Sequence, residues 1–253
     1  MNQIVFLTGA TSGIGQATAY HFASKGYDVI LAGRRVERLN ETAAEIQNKY
    51  KVNTLALELD VRDRQAVSDS LNHLEEKWAE ISILVNNAGL ASGFDFIQDG
   101  HIDDWDQMID TNIKGLLYIS KAVIPGMIRR GKGHIINIGS TAGKEVYAKG
   151  NVYCASKHAV DAITKGMRID LLGTGIKVTQ IAPGAAETEF SLVRFHGDAE
   201  QAKKVYKGFQ PMTPEDIAEV IFYTTTLPEH LCINDLVLTS VAQANSFYIH
   251  REA

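Results

Sequence analysis

The sequence predicts a single-domain, doubly wound α/β fold on a parallel sheet of about seven strands, because short apolar runs alternate with longer helical patterns along the whole chain. The runs are continuous in hydrophobicity, as expected for strands that are buried on both faces. They read "IVFL", "DVILAG", "NTLALEL", "ISILVNNAG", "GHIINIGS", "IKVTQIAPG" and "DLVLTS". The helices between the strands are expected to form right-handed crossovers and to cover both faces of the sheet, which gives a doubly wound fold.

Helical patterns follow the apolar runs. They predict helices over Ile14–Lys25, Val36–Tyr50, Arg64–Ala79, Trp105–Asp110, Ile113–Arg130, around Tyr153 and over Glu215–Thr226. The polar, interrupted segment 186–209 fits neither pattern, and it follows the carboxyl end of the sixth strand, where open sheets bind ligands. We therefore predict one domain, residues 1–253, with a lid over about residues 186–209.

The bulk composition limits the classes of function. A net charge of −5 and an isoelectric point of about 5.9 offer no basic surface for nucleic acid. The sequence shows neither a signal peptide nor a long apolar run, so no membrane partner is expected. Two cysteines, Cys154 and Cys232, give no disulfide framework and fit a cytoplasmic protein. The histidines lack ligand spacing, so no metal site is expected.

A glycine-rich turn, "TGATSGIG", follows the first strand and opens the first helix. Its glycines are Gly9, Gly13 and Gly15. Glycine lets the backbone turn tightly and approach a pyrophosphate, while the helix N-terminus offers free N–H groups to the anion. The turn therefore predicts a dinucleotide site, although its spacing differs from G-x-G-x-x-G and it lacks the Gly-Lys-Ser/Thr ending of a Walker loop.

Two arginines follow the second strand. NAD-selective sites usually have an acid here that accepts a hydrogen bond from the ribose 2′-OH, whereas this chain has Gly33, Arg34 and Arg35. Cations at a helix N-terminus oppose the macrodipole at a cost of roughly a few tenths of a kcal/mol each. A 2′-phosphate would offset this cost through charge-assisted contacts. The pair favours NADP(H) over NAD as the cofactor, with a solvated charge pair as the alternative.

The stretch "NVYCASKHAV" places Tyr153 and Lys157 four residues apart. Residues at this spacing share one face of a helix, so the phenol and the ammonium point into the same space. A surface pair would have the same spacing, so the motifs elsewhere in the chain must decide its role.

A set of short motifs runs in one order along essentially the whole chain. They are "TGATSGIG", Asp60 in "LDV", "NNAG" (Asn86–Gly89), Asn112 in "DTNIKG", Ser140 in "INIGS", Tyr153-x-x-x-Lys157 and "PGAAET" (Pro183–Thr188). Any one of them can arise by chance, but the full set in register is specific. Together they resemble the short-chain dehydrogenase/reductase family. The resemblance implies a Rossmann-type fold and an NADP-dependent alcohol dehydrogenase or carbonyl reductase.

The resemblance also implies roles for single residues. The pyrophosphate would contact Gly9, Ala10, Thr11, Ser12, Gly13, Ile14 and Gly15, and the 2′-phosphate Arg34 and Arg35. Asp60 and Val61 would border the adenine, Asn87 the cofactor ribose, and Pro183, Gly184, Ala185, Ala186 and Thr188 the nicotinamide. The catalytic residues would be Asn112, Ser140, Tyr153 and Lys157. Ser140 and Tyr153 would bind the substrate oxygen, Lys157 the nicotinamide ribose, and Asn112 a water of a proton relay.

The chemistry explains why a phenol would lie beside a fixed positive charge. Hydride transfer onto a carbonyl leaves an alkoxide that needs a proton, and the reverse reaction needs a base. A free phenol has a pKa near 10, too high for a good base at neutral pH. The Lys157 ammonium, together with the positive ring of the oxidised cofactor, is expected to favour the phenolate. Lowering the pKa of Tyr153 by about three units corresponds to about 4 kcal/mol.

Further segments are similar to one subgroup of the family, the bacterial NADP-dependent 3-hydroxy acid dehydrogenases, which include serine 3-dehydrogenase. The segments include "GRRVERL", "GHIINIGSTAG" and "TEFSLVRFHGD". The likeness implies a short 3-hydroxy acid as substrate and a homotetramer. A substrate carboxylate needs a cation, and Arg194 is the first candidate, with Lys144 and Lys149 behind it. The alternative is that Arg194 is structural or solvated, and the "PGAAETEF" turn, one residue shorter than expected, leaves the pocket shape open.

Other functions remain open from the sequence. One is a broad carbonyl reductase, or a 3-oxoacyl reductase for chains on an acidic carrier, for which Lys203, Lys204 and Lys207 of the lid could supply a basic surface. A more remote one is a non-catalytic NADP-binding sensor, although such a protein would usually lack part of the catalytic group. Cys154 is expected to be a packing residue.

Overall fold

The strands of the chain form a parallel seven-stranded sheet, as seen in a computed structural model that describes residues 2–252. They are β1 (Ile4–Thr8), β2 (Asp28–Gly33), β3 (Thr54–Glu58), β4 (Ile81–Asn86), β5 (Gly133–Ile138), β6 (Ile176–Pro183) and β7 (Asp235–Leu238). Their order is β3-β2-β1-β4-β5-β6-β7, and all neighbours are parallel. The predicted fold is confirmed.

Helices cover both faces of this sheet. In the described residues they are α1 (Gly13–Ser24), α2 (Val36–Tyr50), α3 (Arg64–Asn72), α4 (Ile102–Ile109), α5 (Leu116–Arg130), α6 (Asn151–Asp170), α7 (Phe190–Arg194), α8 (Ala199–Tyr206) and α9 (Pro214–Thr225). Val5 and Leu7 of β1 pack with α1, α2 and α9, while Ile4 and Phe6 pack with α3 and α5. Successive side chains of a strand point to opposite faces, so strands covered on both sides need the continuous apolar runs seen in the sequence.

The chain reverses its direction across the sheet between β1 and β4. From β1 it moves outward to β2 and β3, then returns to β4 on the other side of β1. The loops after β1 and β4 therefore leave in opposite directions and open a crevice at the carboxyl ends of these strands. Ligands bind at such a switch point in open α/β sheets.

The helix predicted over Arg64–Ala79 ends early, at Asn72. A single 3₁₀ turn, Glu76–Trp78, follows it and turns Trp78 into the core, where 4% of the residue is exposed. Leu74 and Trp78 continue the helical spacing of α3, so periodicity alone cannot locate its end. Weak helix formers at Asn72 and His73 let the chain leave the helix at this point.

The two helices predicted around Trp105–Asp110 and over Ile113–Arg130 form one continuous rod. A π-helical stretch, Asp110–Gly115, joins α4 to α5. Such wide turns occur inside helices mainly at functional sites. Here the wide turn contains Asn112, and Gly115 lies against Val61 so closely that a Cβ would be 2.6 Å from Val61 Cγ2.

The segment predicted as an irregular lid contains two short helices, α7 and α8. Between them, His196 and Gly197 have φ angles of 52° and 91°, which reverse the chain. Neither α7 nor α8 exceeds eight residues, so their apolar spacing was too short to indicate a helix. Within residues 2–252, no helix has both the length and the apolar character to cross a membrane.

Candidate active site

A cleft of about 860 Å³ opens at the carboxyl ends of β1 and β4. It is lined by most of the predicted site residues: Gly9, Thr11, Ser12, Ile14, Arg34, Arg35, Asp60, Val61, Asn87, Ser140, Tyr153, Lys157, Pro183, Gly184, Ala185, Ala186, Thr188 and Arg194. Four predicted residues do not line it. Gly13 and Gly15 form the start of α1 behind the turn, Asn112 is buried beneath the cleft, and Ala10 packs in the core with its N–H donated to Ala32 O.

The glycine turn is shaped for close approach of a ligand. Gly9 and Gly13 have φ angles of 67° and 53°, in the left-handed region that glycine adopts without strain. A Cβ on Gly15 would lie 2.3 Å from the Gly9 carbonyl oxygen, so no side chain fits there. The first turn of α1 contains no acid. The turn therefore presents backbone N–H groups that suit a pyrophosphate.

Asn87 fastens the loop after β4 to the loop after β1. Its Nδ2 donates to the carbonyl oxygens of Thr8 and Gly9 at 3.0 and 3.1 Å. The Thr8 hydroxyl in turn accepts from the N–H groups of Asn87 and Ala88. This predicted ribose contact thus also holds the two walls of the crevice together.

The two arginines after β2 differ in their partners. Arg35 donates from Nε and Nη2 to Thr11 Oγ1, from Nη2 to Ser12 Oγ, and from Nη1 to Glu189. Arg34 makes no hydrogen bond with another described residue. Both line the cleft, so a fixed and a free guanidinium lie where the 2′-phosphate is predicted to bind.

Asp60 and Val61 form the floor beside these arginines. A double hydrogen bond from Arg62 holds the Asp60 carboxylate, with Arg62 Nη2 2.6 Å from Asp60 Oδ2. That contact lowers the pKa of Asp60 below its usual range. Asp60 is therefore an ionised acceptor at the edge of the cleft.

The predicted catalytic group meets on α6 and the loop after β5. Tyr153 is buried, with 8% exposed, and it faces Lys157 Nζ, which lies 6.0 Å from the centre of its ring. Lys157 Nζ donates to the carbonyl oxygen of Ile138 at 2.9 Å, which fixes the ammonium under the cleft. Ser140 lies on the same wall, and its hydroxyl accepts from the N–H of Ala142. The spacing read from the sequence therefore does bring the phenol and the ammonium together.

The protein alone does not lower the pKa of Tyr153, so the lowered pKa expected with the oxidised cofactor in place stays a prediction. Burial raises it above the ordinary 10.0, and this effect outweighs the hydrogen bond with Ser140. Burial also lowers the pKa of Lys157 to about 8. Both shifts have one cause, since a dry site disfavours the charged form of each group. Without further charge in the cleft, Tyr153 is a proton donor.

Asn112 has both amide hydrogens occupied. Its Nδ2 donates to Leu90 O at 2.8 Å and to Ser156 Oγ at 3.0 Å, and its Oδ1 accepts from Leu90 N at 2.8 Å. One lone pair of Oδ1 remains for a water. A Cβ on Gly89 would lie 3.2 Å from Asn112 Oδ1 and 3.5 Å from Lys157 Nζ, so the amide and the ammonium flank the same glycine.

Arg194 extends from the lid into an aromatic cage beside Tyr153. Its guanidinium carbon lies 4.6 Å from the ring centre of Phe94, 5.4 Å from that of Tyr147 and 5.6 Å from that of Tyr153. Nη1 donates to the Tyr147 hydroxyl at 3.0 Å. Nε and Nη2 are buried and have no partner among the described residues. Unpaired buried donors on a cation are costly, so the cage is suited to an anion.

The fallback candidates for the carboxylate contact do not reach the cleft. Lys144 forms ion pairs with Asp161 and Asp235 on the outer surface, so its charge is already neutralised. Lys149 Nζ lies 4.8 Å from the centre of the Phe96 ring and 5.8 Å from that of Phe94, but Lys149 itself does not line the cleft. Of the three candidate cations, Arg194 is the one that lines it.

Sequence reasoning missed several cleft residues. Tyr147 and Phe94 form the cage around Arg194, and Gln243, Ser246 and Arg251 of the C-terminal tail also line the cleft. The Gln243 Oε1 accepts from the N–H of Ala185 at 2.8 Å and so supports the turn predicted to meet the nicotinamide. These residues lie far apart in the sequence and share no motif that could have indicated them.

Two other expectations concern residues near this site. Cys154 is fully buried among apolar side chains and so is a packing residue, as expected. Within residues 2–252, no group of three or more His, Cys, Asp or Glu side chains is placed to hold a metal ion.

The fold and the site together define a class of protein. A dinucleotide-binding crevice at the β1–β4 switch point, with a buried Tyr–Lys pair on one wall, is the arrangement of a dehydrogenase. The profile of the family described as short chain dehydrogenase matches residues 3–197. The chain belongs to this family and is an oxidoreductase.

Individual proteins that resemble this chain have names that describe narrower activities than the family does. The chain is 47% identical over 242 residues to the NADP-dependent 3-hydroxy acid dehydrogenase YdfG of Salmonella typhi, covering 95% of this chain and 96% of that protein. It is also 47% identical to sulfoacetaldehyde reductase 2 of Chromohalobacter salexigens over the full length of both. Among solved structures, the closed form of a serine dehydrogenase complexed with NADP⁺ matches with a TM-score of 0.92 and 46% identity, covering 99% of this chain and all of that one.

Proposed function

We propose that the protein interconverts a short 3-hydroxy acid and its 3-oxo acid by hydride transfer. The class includes serine, allo-threonine and 3-hydroxypropionate. The observation that carries the proposal is the buried guanidinium of Arg194, which keeps unpaired donors beside Tyr153. The names of two of the relatives, a 3-hydroxy acid dehydrogenase and a serine dehydrogenase, support this substrate class.

The coenzyme is NADP(H), and the residues of the cleft fit it. The turn from Gly9 to Gly15 would receive the pyrophosphate, because no side chain blocks its N–H groups. Arg34 and Arg35 would bind the 2′-phosphate, and the turn from Pro183 to Thr188 would border the nicotinamide. When bound, the coenzyme supplies or accepts the hydride.

The substrate anion would bind to Arg194 and Tyr147. The Arg194 Nε and Nη2 form the kind of planar fork that matches a carboxylate. Burial raises the pKa of Tyr147, so its hydroxyl stays protonated and can donate. The guanidinium contacts the Tyr153 ring, with its carbon 5.6 Å from the ring centre, so the anion and the reacting oxygen would bind close together. This closeness favours a short acid.

Tyr153 would act as general acid in reduction and as general base in oxidation. In reduction, its O–H gives a proton to the substrate oxygen as the carbonyl carbon gains hydride; in oxidation, the proton returns. Ser140 would donate a hydrogen bond to the same oxygen. Burial raises the pKa of Tyr153 in the chain alone, so the phenol is protonated and able to donate before the coenzyme binds. Lys157 would hold the ribose, and Asn112 would hold a water of the proton relay through Oδ1.

A sulfonate is a second candidate anion. In sulfoacetaldehyde one methylene group separates the sulfonate from the carbonyl carbon, as one methylene group separates the carboxylate from the aldehyde in a short 3-oxo acid. The donors of Arg194 and Tyr147 recognise negative oxygen atoms of either group. The similarity to sulfoacetaldehyde reductase 2 supports including this substrate in any test.

Broader readings have weaker support. A carbonyl reductase that does not prefer acids would not need the buried Arg194 guanidinium in its substrate cleft. A 3-oxoacyl reductase would use the exposed lysines Lys203, Lys204 and Lys207 of the lid to hold an acidic carrier, and of these only Lys204 lines the cleft. A non-catalytic NADP-binding sensor would not need the assembled Tyr153–Lys157 pair.

We also propose a homotetramer in the cytoplasm. Large apolar side chains lie on the surface of the single chain, including Ile169, Leu172, Val237 and Phe247, each more than half exposed. Such residues are available for subunit contacts, and the tetramer itself is implied by the resemblance to the 3-hydroxy acid dehydrogenases. A monomer by light scattering would disprove this assembly.

The test is turnover by the pure protein with NADP⁺ at mildly alkaline pH. Substrates are L-serine, L-allo-threonine, 3-hydroxypropionate, 2-hydroxyethanesulfonate and 2-propanol, with NAD⁺ in parallel. The expected result is activity on the acids and none on 2-propanol. Turnover of 2-propanol alone, or of none of them, would overturn the proposal.

A further inference from the structure

The lid begins at a carboxylate that reaches back to the coenzyme side of the cleft. Glu189, directly before α7, accepts a hydrogen bond from Arg35 Nη1 on Oε2 and one from Arg38 Nη1 on Oε1, each at 2.8 Å. Arg35 directly precedes α2, and Arg38 lies in the first turn of that helix. The contact with Arg35 has the larger effect, and together the two contacts lower the pKa of Glu189 to about 2. The carboxylate is therefore ionised at any working pH.

Two other contacts fasten the same segment. The side chain of Thr188 would lie 3.3 Å from a Cβ on Gly13, so it covers the start of α1. At the other end of α7, the main-chain oxygen of Arg194 accepts from the N–H of Gly93 at 3.0 Å. Glu189 and Arg194 are therefore the two ends of one short, fastened helix. Because α7 is one short helix, we expect a displacement of Glu189 to be transmitted to Arg194.

We propose that Glu189 is a positioning residue that ties the lid to the arginines of the 2′-phosphate site, so that the coenzyme side and the substrate side of the cleft open and close together. Arg35 carries the connection, because it also holds Thr11 and Ser12 of the glycine turn. The coupling does not depend on which substrate the enzyme takes.

The charges allow this contact to persist when NADP(H) is bound. Arg34, Arg35 and Arg38 carry three positive charges, and Glu189 carries one negative charge. A phosphate monoester adds about −2 at neutral pH. The cluster is then close to neutral, so the carboxylate and the phosphate can share it. The opposite view is that Glu189 competes with the phosphate, and that view predicts the opposite change in affinity.

The variants are Glu189→Gln, Arg38→Gln and the double variant, with Glu187→Gln as the matched control. Glu187 lies two residues away in the same segment, is exposed, and its side chain makes no hydrogen bond with another described residue. The first readout is the dissociation rate of NADPH, followed by its fluorescence after rapid mixing with excess NADP⁺. The second uses the protein without coenzyme: the rate of tryptic cleavage in the lid at Lys203, Lys204 and Lys207.

Loss of the contacts between Glu189 and the two arginines is expected to raise the NADPH dissociation rate about fivefold in Glu189→Gln. An effect of this size is typical of a partly exposed charged pair. Tryptic cleavage of the lid should accelerate to a similar extent. In the tryptic assay, which contains no coenzyme, the double variant should be no faster than Glu189→Gln, because both changes break the same contact. Glu187→Gln should behave as the parent in both assays. An unchanged NADPH dissociation rate or tighter NADPH binding in Glu189→Gln, or additive effects on tryptic cleavage, would each overturn the proposal.

Discussion

The Arg194 guanidinium donates to the Tyr147 hydroxyl at 3.0 Å and is left with two buried donor atoms that no described residue accepts from. Aromatic rings hold the cation without neutralising it, since they offer a quadrupole and no formal charge. An enzyme that only bound neutral carbonyl compounds would gain nothing from this arrangement. The pair is therefore the main structural reason why the proposed substrate is an anion.

Replacing Arg194 is expected to remove acid recognition while leaving coenzyme binding intact. Arg194→Lys keeps the charge but loses the planar fork, so kcat/KM for 3-hydroxypropionate should fall about 30-fold or more. Tyr147→Phe loses one donor, and a fall of about tenfold is expected. Steady-state kinetics measures both, with the NADPH dissociation constant as the control. Equal losses of NADPH affinity and of turnover would show that Arg194 supports the lid only.

Tyr153→Phe tests the proton transfer. The variant keeps the ring that packs against Phe190, with ring centres 5.5 Å apart, and removes only the hydroxyl. Turnover should fall at least about 10³-fold in either direction, since no other acid of suitable placement faces the substrate oxygen. NADPH should bind within about twofold of the parent by fluorescence titration. Retained turnover would assign the proton transfer to another group.

The sequence predicts those parts of the site that are formed by residues close together along the chain. The glycine turn and the Tyr153–Lys157 spacing follow from the geometry of one turn and one helix, so each can be found in a short stretch, and the ordered set of motifs along the chain then indicates its role. The cage of Arg194 has no such signal, because Phe94 and Tyr147 come from separate loops and meet only after the sheet has formed. The effect of burial on the pKa of Tyr153 was also outside the reach of the sequence, because burial is a property of the whole fold.

Folding stability should depend on pH through His134. This residue is buried in β5, where its Nε2 lies 2.8 Å from Thr179 Oγ1, and burial lowers its pKa from 6.5 to about 4. The folded state thus binds its proton less readily than the unfolded state, so the stability that His134 contributes is complete above pH 6.5 and is lost as pH falls towards 4. The loss should reach about 3 kcal/mol. Urea unfolding at pH 7.5 and 4.5 measures this loss of stability.

Two variants test the assignment to His134. The pH dependence of stability should shrink in His134→Gln and stay unchanged in His230→Gln, which replaces an exposed histidine. Equal dependence in the parent and both variants would refute the assignment.

The π-helical stretch should tolerate no side chain at Gly115. A Cβ there would lie 2.6 Å from Val61 Cγ2 and 3.3 Å from the Val61 main-chain oxygen, and the backbone cannot retreat without moving Asn112. Gly115→Ala is therefore expected to destabilise the protein by about 1–2 kcal/mol despite the better helix propensity of alanine.

Gly166 of α6 is the matched control, since a Cβ there meets nothing within 4 Å, and Gly166→Ala should stabilise the protein by about 0.5–1 kcal/mol. Thermal unfolding compares the two, and turnover should fall only in Gly115→Ala. If both variants gain stability and activity is retained, the wide turn is not held by its contact with Val61.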